Sequence, residues 1–481
     1  MTRVGLGVLL LLPLAQSVLA AGNETGHHDP IAPVILGVTG ILFFALIGRH
    51  AARTLGQPSV LGELIVGVVL GNVGFLLGSE LITVLREGSA VFDLFGLDLR
   101  GLSHEEAARE ALGDEVGSRI LSILESPQGL EIVRVAHAVD TFSRYGVIFL
   151  LFMVGLDMSL GELEESGPEA IRVAILGVIA PFLLGLASVE LLLPDTPMTS
   201  SLFIAATLCA TSVGITARVL KDMGRGRSDE AHVILGAAVV DDVLGLILLS
   251  IVSGIAVAGG VEAMGVIKTI LLAVLFLGGA VLLGPYLVRA MVRLLATLDL
   301  VEAKMFCSFL FVMVMAWVAT FAGLAAIIGA FAAGVILSDA YFHRWVRPRG
   351  SCEYSVKDLI APLEVILVPI FFVLMGLQVK LESFMDWRVV TVAGVLVLAA
   401  VIGKLVSGIG AGRNVNRLSV GIGMTPRGEV GLIFAALGKG LGVIDDALFS
   451  ALVLMVILTT LLTPPFLKLV MAREPGTAPD S

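Results

Sequence analysis

The chain has 481 residues, of which 57% are hydrophobic and only 15% charged. A mean hydropathy of +1.00 places it among polytopic membrane proteins and excludes an ordinary soluble domain. The formal net charge of −10, without a basic patch outside the connecting loops, argues against a nucleic-acid partner. The three cysteines, Cys209, Cys307 and Cys352, have neither metal-ligand nor redox spacing and are expected as free thiols.

Residues 1–21 read as a signal peptide. Arg3 is the charged start, Val4–Leu12 the apolar core, and Val18 and Ala20 are small residues before a cut after Ala20 or Ala21. A short first span is the alternative, but Pro13 interrupts it. Residues 30–470 form the membrane domain and 471–481 a short cytoplasmic tail. The membrane domain holds thirteen apolar runs of spanning or near-spanning length. They fall near 31–49, 59–77, 143–159, 171–193, 199–220, 231–256, 265–289, 304–323, 325–340, 359–379, 387–412, 417–438 and 445–470. The fold expected is an all-α polytopic membrane protein.

Residues 79–142 differ from the other connections. They are polar, and "SHEEAAREALGDEVGSRILSIL" reads as an amphipathic helix with Ser103 and Glu106 as a capping box. This insertion lies outside if the mature N-terminus is outside. The inside loops then collect Arg49, Arg53, Arg218, Lys221, Arg289, Arg293, Lys304, Arg344, Arg413 and Arg417, among others, whereas the short outside loops hold only Lys380 and Lys439. This asymmetry is the positive-inside pattern, with the C-terminus cytoplasmic. No glycine-rich nucleotide fingerprint occurs, so no nucleotide-binding domain is expected.

The second run contains "VLGELIVGVVLG" and the ninth "IIGAFAAGVILS", in which Gly62 and Gly67 have the spacing of Gly329 and Gly334. The third run ends "LLFMVGLDMSL" and the tenth "IFFVLMGLQVKL", which aligns Gly155 with Gly376. The shared order gives two six-helix halves, runs 1–6 and 8–13. Run 7 is a linker helix that inverts the second half, as in many secondary transporters.

Such a repeat places the site at corresponding, interrupted helices. The fifth run, "LCATSVGITARVL", is interrupted at Thr211, Ser212 and Gly214. The twelfth, "GMTPRGEVGLIF", is interrupted at Thr425, Pro426, Arg427, Gly428 and Glu429. A proline removes a ladder hydrogen bond, and the freed groups then face a cavity. For Thr211 and Ser212 the alternative is bonding back to their own helix. Arg427 and Glu429 read best as a local pair that holds the break in shape.

The sixth run, "GAAVVDDVLGLILLS", carries Asp241 and Asp242 at its middle. Each charge there costs about 3 kcal/mol on insertion scales, and intramembrane carboxylates are seldom kept without a use. The eleventh run carries one deep charge, Lys404, about 12 Å from its inner end, against roughly 15–17 Å for the aspartates. Lys404 either snorkels to the surface or pairs with one aspartate. Pairing leaves the second carboxylate for a cation or a proton.

"ATSVGITARVL", "GAAVVDDVLGLI", "IGKLVSG" and "GMTPRGEVGLIFA" occur in order at these helices. Together they resemble the bacterial Na+/H+ antiporters of the second monovalent cation:proton antiporter family. The resemblance implies a core domain with two crossed broken helices, a separate dimerisation domain and hence a homodimer, and alternating access in the cytoplasmic membrane. It implies Asp242 as the main Na+-binding carboxylate, Asp241 paired with Lys404, and Thr211 near the ion, with Ser212 beside it. It implies no cofactor, since Na+ and H+ are cargo. The Asp-Asp pair resembles the electrogenic members. The insertion at 79–142 departs from the compact family pattern. A K+/H+ antiporter is the main alternative. An intramembrane aspartyl protease is a remote one, because adjacent residues of one helix point about 100° apart and do not face each other across a substrate.

Overall fold

The computed structural model describes residues 31–88, 91, 114–157, 167–212, 216–217, 219–220, 223, 225, 228–257, 263–295, 299–343, 354–412 and 415–472. The signal-peptide reading, the capping box at Ser103 and Glu106, Gly214 and Cys352 lie outside the described residues.

The described chain is helical: α1 Ala32–Thr54, α2 Ser59–Leu76, α3 Glu80–Glu87, α4 Asp114–Leu124, α5 Gly129–Asp157, α6 Pro168–Leu192, α7 Met198–Cys209, α8 Asp229–Val257, α9 Ala263–Leu294, α10 Leu300–Phe321, α11 Ala326–Ile336, α12 Val356–Leu377, α13 Trp387–Ser407, α14 Arg417–Gly423, α15 Glu429–Gly440 and α16 Asp446–Ala472. Among the described residues, nine helices are long and apolar enough to cross a membrane, and three shorter apolar ones fall between them. The chain is a multi-pass membrane protein. Several runs read from the sequence change their bounds. The run at 325–340 is the eleven-residue α11, almost wholly buried. At 1.5 Å per residue α11 covers about 16 Å, half a bilayer core. The run at 143–159 is only the second half of the 29-residue α5. Glu131, Arg134 and Asp140 break the apolar run there without breaking the helix, and Asp140 accepts from Arg144 one turn on, at 2.7 Å. Residues 79–142 are therefore not one polar connection, since they hold α3, α4 and the start of α5.

Side-chain caps fix several helix starts. Ser79 caps α3, Asp386 caps α13 and Asn416 caps α14 through the Leu418 and Ser419 amides, each satisfying a donor that the first turn leaves open.

The chain divides into two compact units, Met1–Tyr145 with Pro369–Lys380, and Gly146–Val368 with Leu381–Ser481. In the first, α1 and α2 approach through Gly48 and Gly62, where a Cβ on Gly62 would lie 2.0 Å from the Gly48 carbonyl oxygen. Arg49 donates to the buried Glu63 at 2.7 Å. A Cβ on Gly67 would lie 2.3 Å from the Val373 carbonyl oxygen, and one on Gly376 2.2 Å from that of Leu64. Lys380, placed in a loop from the sequence, is in fact mostly buried and donates to Glu87 at 2.8 Å.

In the second unit the same contacts recur at the corresponding residues. A Cβ on Gly329 would lie 2.1 Å from the Met315 carbonyl oxygen, one on Gly334 2.2 Å from that of Phe152, and one on Gly155 2.4 Å from that of Phe331. Gly62, Leu64 and Gly67 thus answer to Gly329, Phe331 and Gly334, and Val373 and Gly376 to Phe152 and Gly155. The glycine matches of the sequence are backbone-to-backbone contacts, made once in each half, as close helix packing in a membrane requires. Lys304, also placed in a loop, lies inside α10 at 2% exposure and pairs with Asp339 at 2.7 Å. Cys209 and Cys307 are buried free thiols.

Candidate functional site

The site lies in the second unit, where α6 packs against α7, α8 and α13. The fifth run stops being helical after Cys209, and residues 210–212 are non-helical. The twelfth is broken between α14 and α15, over Met424–Gly428. The two breaks are tied by a backbone hydrogen bond from Ser212 N to Pro426 O at 2.9 Å. Thr211 Oγ1 donates to Met424 O at 3.4 Å and Thr216 Oγ1 to Gly423 O at 2.6 Å. Thr425 Oγ1 bonds back one turn to Gly421 O at 3.0 Å. Thr211 and Ser212 therefore sit against the other break. Carbonyls that the break leaves open are taken up from across the gap.

Arg427 is fully buried. It donates to Met424 O at 3.3 Å, to Thr425 O at 2.9 Å and to Ala400 O of α13 at 3.2 Å, while its own carbonyl accepts from Thr460. The guanidinium thus holds the break by bonding two of its carbonyls and tying them to a helical carbonyl of α13. The Glu429 side chain lies outside the described residues.

Asp241 and Lys404 meet in the core of this unit. Lys404 Nζ lies 2.8 Å from Asp241 Oδ1, at 0% and 1% side-chain exposure. Asp241 Oδ2 is buried and accepts no hydrogen bond among the described residues. Two features of α6 make room for the pair. A Cβ on Gly177 would lie 3.2 Å from Lys404 Nζ and 3.5 Å from Asp241 Oδ1, and Gly403 lets α13 close onto Pro181, within 2.6 Å of where its Cβ would be. Ala400, which accepts from Arg427, is one turn before Lys404, so the break and the ion pair are joined through one turn of α13. Arg427 and Asp241 lie close enough to act on each other electrostatically. Asp242, the next residue of α8, is half-buried. Gly177, Ala400 and Thr460 were not singled out from the sequence. Gly177 is one of two glycines in the apolar run of α6, which was a weak signal for the first, whereas a main-chain acceptor and a common helix threonine carry none.

This arrangement neutralises one carboxylate, Asp241, with a fixed lysine and carries a second, Asp242, at the next position of α8. It is the chemistry of a site for a small cation or a proton.

The comparisons agree. Residues 105–473 match the family model described as the transmembrane sodium/hydrogen exchanger. The chain is 34% identical over 474 residues to the high-affinity Na+/H+ antiporter NhaS3 of Synechocystis sp., covering 96% of this chain and 95% of that one. It is 31% identical over 437 residues to the Na+/H+-K+ antiporter GerN of Bacillus cereus, covering 89% and 93%. The solved structure of the sodium proton antiporter MjNhaP1 of Methanocaldococcus jannaschii shares the fold, at a TM-score of 0.55 and 16% identity over 92% of this chain and 98% of that one. The chain belongs to the sodium/hydrogen exchanger family.

Proposed function

We propose that the protein is a secondary active transporter, not an enzyme, that exchanges Na+, and Li+ by the same chemistry, for protons across the cytoplasmic membrane by alternating access. The observation that carries the reading is the buried Lys404–Asp241 pair one residue from Asp242, beside two broken helices tied at Ser212 and Pro426. Asp242 is the carboxylate for which Na+ and H+ compete. Asp241 holds Lys404 and gains a share of the ion. Thr211 and Ser212 line the approach, and Pro426, Gly428 and Arg427 shape the break. The relative NhaS3, by its printed name, is a high-affinity Na+/H+ antiporter, which supports Na+ as cargo. The N-terminus faces outside and the C-terminus the cytoplasm. The protein works as a homodimer in lipid.

K+ is the second reading, because the relative GerN is named for Na+/H+ and K+. The test is a pH-dye assay in inside-out vesicles of a host that lacks its own antiporters, with Na+, Li+ and K+ added in turn. Na+ and Li+ should each collapse the imposed proton gradient at lower concentration than K+. A response to K+ alone would assign K+ as cargo, and no response to any of the three would end the antiporter reading.

A further inference from the structure

Arg172, near the start of α6, and Arg417, the first residue of α14, flank one turn. The 3-10 turn Gly408–Gly410, which ends α13, is wedged between their backbones. A Cβ on Gly408 would lie 2.0 Å from the Arg417 carbonyl oxygen, and one on Gly410 2.8 Å from the Arg172 carbonyl carbon. The two glycines therefore hold the arginines on either side of three residues. Both side chains line an open groove of about 660 Å³, together with Ile175, Leu176, Ile409 and Gly412. Both arginines are exposed, and neither forms an ion pair with a carboxylate among the described residues. Two carboxylates lie nearby, one of them at the groove's edge. Glu169 packs against Gly412, and Glu230 accepts from the Asn416 amide at 3.5 Å.

The groove's walls are apolar and open. Ile175 is 42% exposed and Ile409 62%, and Leu418, next to Arg417, is 50% exposed. A groove for a water-borne anion has no use for such a rim, whereas in a bilayer these side chains meet acyl chains. Guanidinium groups match phosphate oxygens in a fork geometry, and basic pockets between transmembrane helices on the cytoplasmic side suit anionic head groups.

We propose that this groove binds one anionic glycerophospholipid, its phosphate held between Arg172 and Arg417 and its acyl chains laid along Ile175 and Ile409. Its assignment to the inner leaflet rests on the orientation proposed above, whereas the binding chemistry does not. The bound lipid bridges α6 to α14, on either side of the turn that ends the Lys404 helix. Because α14 runs straight into the Met424–Gly428 break, the lipid braces the pieces that hold the site, and lipid composition tunes its stability.

The test uses the full chain, delipidated in neutral detergent. Phosphatidylglycerol should raise its apparent melting temperature by several degrees, and phosphatidylcholine should not. R172Q/R417Q should lose most of that rise, R172K/R417K, which keeps the charge but not the fork, should keep part of it, and R388Q, which alters an exposed arginine on another helix end, should keep all of it. An R172Q/R417Q protein that retains the wild-type rise overturns the proposal. So does inorganic phosphate that matches phosphatidylglycerol, since that marks a site for free anions. Native mass spectrometry reads the same point without the glutamine variant. Wild type and R172K/R417K should each retain phosphatidylglycerol in preference to phosphatidylcholine, and equal retention of the two lipids by wild type also overturns it.

Discussion

Lys404 and Asp241 lie 2.8 Å apart with almost no exposure, packed against Gly177, where an added Cβ would come within 3.2 Å of Lys404 Nζ. A buried pair of this kind adds little net stability over an apolar filling, but removing one partner strands the other. Lys404→Gln should therefore destabilise the folded protein by about 3–5 kcal/mol. Asp241→Asn combined with Lys404→Gln should recover part of that loss. Unfolding in detergent measures both. A Lys404→Gln protein as stable as the wild type would mean that the pair is not held in the membrane.

Asp242→Asn should fold and insert normally yet lose cation-dependent proton movement. The amide keeps the shape and removes the charge for which ion and proton compete. Asp242 is half-buried, so the change does not empty a packed cavity. The readout is the vesicle assay, with membrane quantity checked by immunoblot. Wild-type exchange in the purified variant would place the site elsewhere.

The reciprocal glycine contacts predict matched failures. Gly67→Leu and Gly334→Leu each drive a side chain into a carbonyl that lies 2.3 Å or less from the first added carbon. Both should abolish a monodisperse folded peak in size exclusion. Gly40→Ala, where nothing lies within 4 Å of the added carbon, should elute as the wild type does. Tolerance of leucine at Gly334 with loss at Gly67 would break the equivalence of the two halves.

Much of the site was legible because its chemistry is costly in a membrane. Asp241, Asp242 and Lys404 stand out against apolar runs, and Pro426 cannot sit in a helix interior without breaking its ladder. The inverted glycine pairs were legible because close backbone approach leaves no other residue type. What the sequence hid depends on who meets whom in space. Arg427 is an example: its bonds to the Met424, Thr425 and Ala400 carbonyls have no signature in the sequence, because a main-chain acceptor is the same at every position. Glu87 and Lys380 looked like loop charges because nothing in their spacing, 293 residues apart, brings them together. The start of α5 was lost because three charges interrupt its hydropathy but not its hydrogen bonds.

Orientation gives a separate prediction. A C-terminal alkaline phosphatase fusion should be inactive and a C-terminal fluorescent-protein fusion bright, as the arginine-rich connections require. The reverse result would invert the assignment of the leaflets and leave the site's chemistry untouched.

The last prediction is that exchange is electrogenic, with more protons entering than Na+ leaving. In the cation-free state Asp242 carries a proton and Lys404 is charged against Asp241. A Na+ that enters at Asp242 displaces that proton. It also draws on Asp241, whose Oδ2 accepts no hydrogen bond among the described residues. Lys404 then loses the partner that stabilises its charge in a low-dielectric site, and it releases a second proton. The balance is two protons for one Na+, a net movement of one charge. The equilibrium Na+ gradient should then depend on voltage as well as on pH. Protein in liposomes, with the potential clamped by K+ and valinomycin, reads this directly. At zero pH difference an imposed inside-negative potential should drive net Na+ movement in the wild type. Lys404→Gln, where enough folded protein survives, should exchange one for one and ignore the voltage. A wild-type gradient indifferent to voltage would refute the two-proton scheme, leave antiport standing, and reduce Lys404 to a structural partner of Asp241.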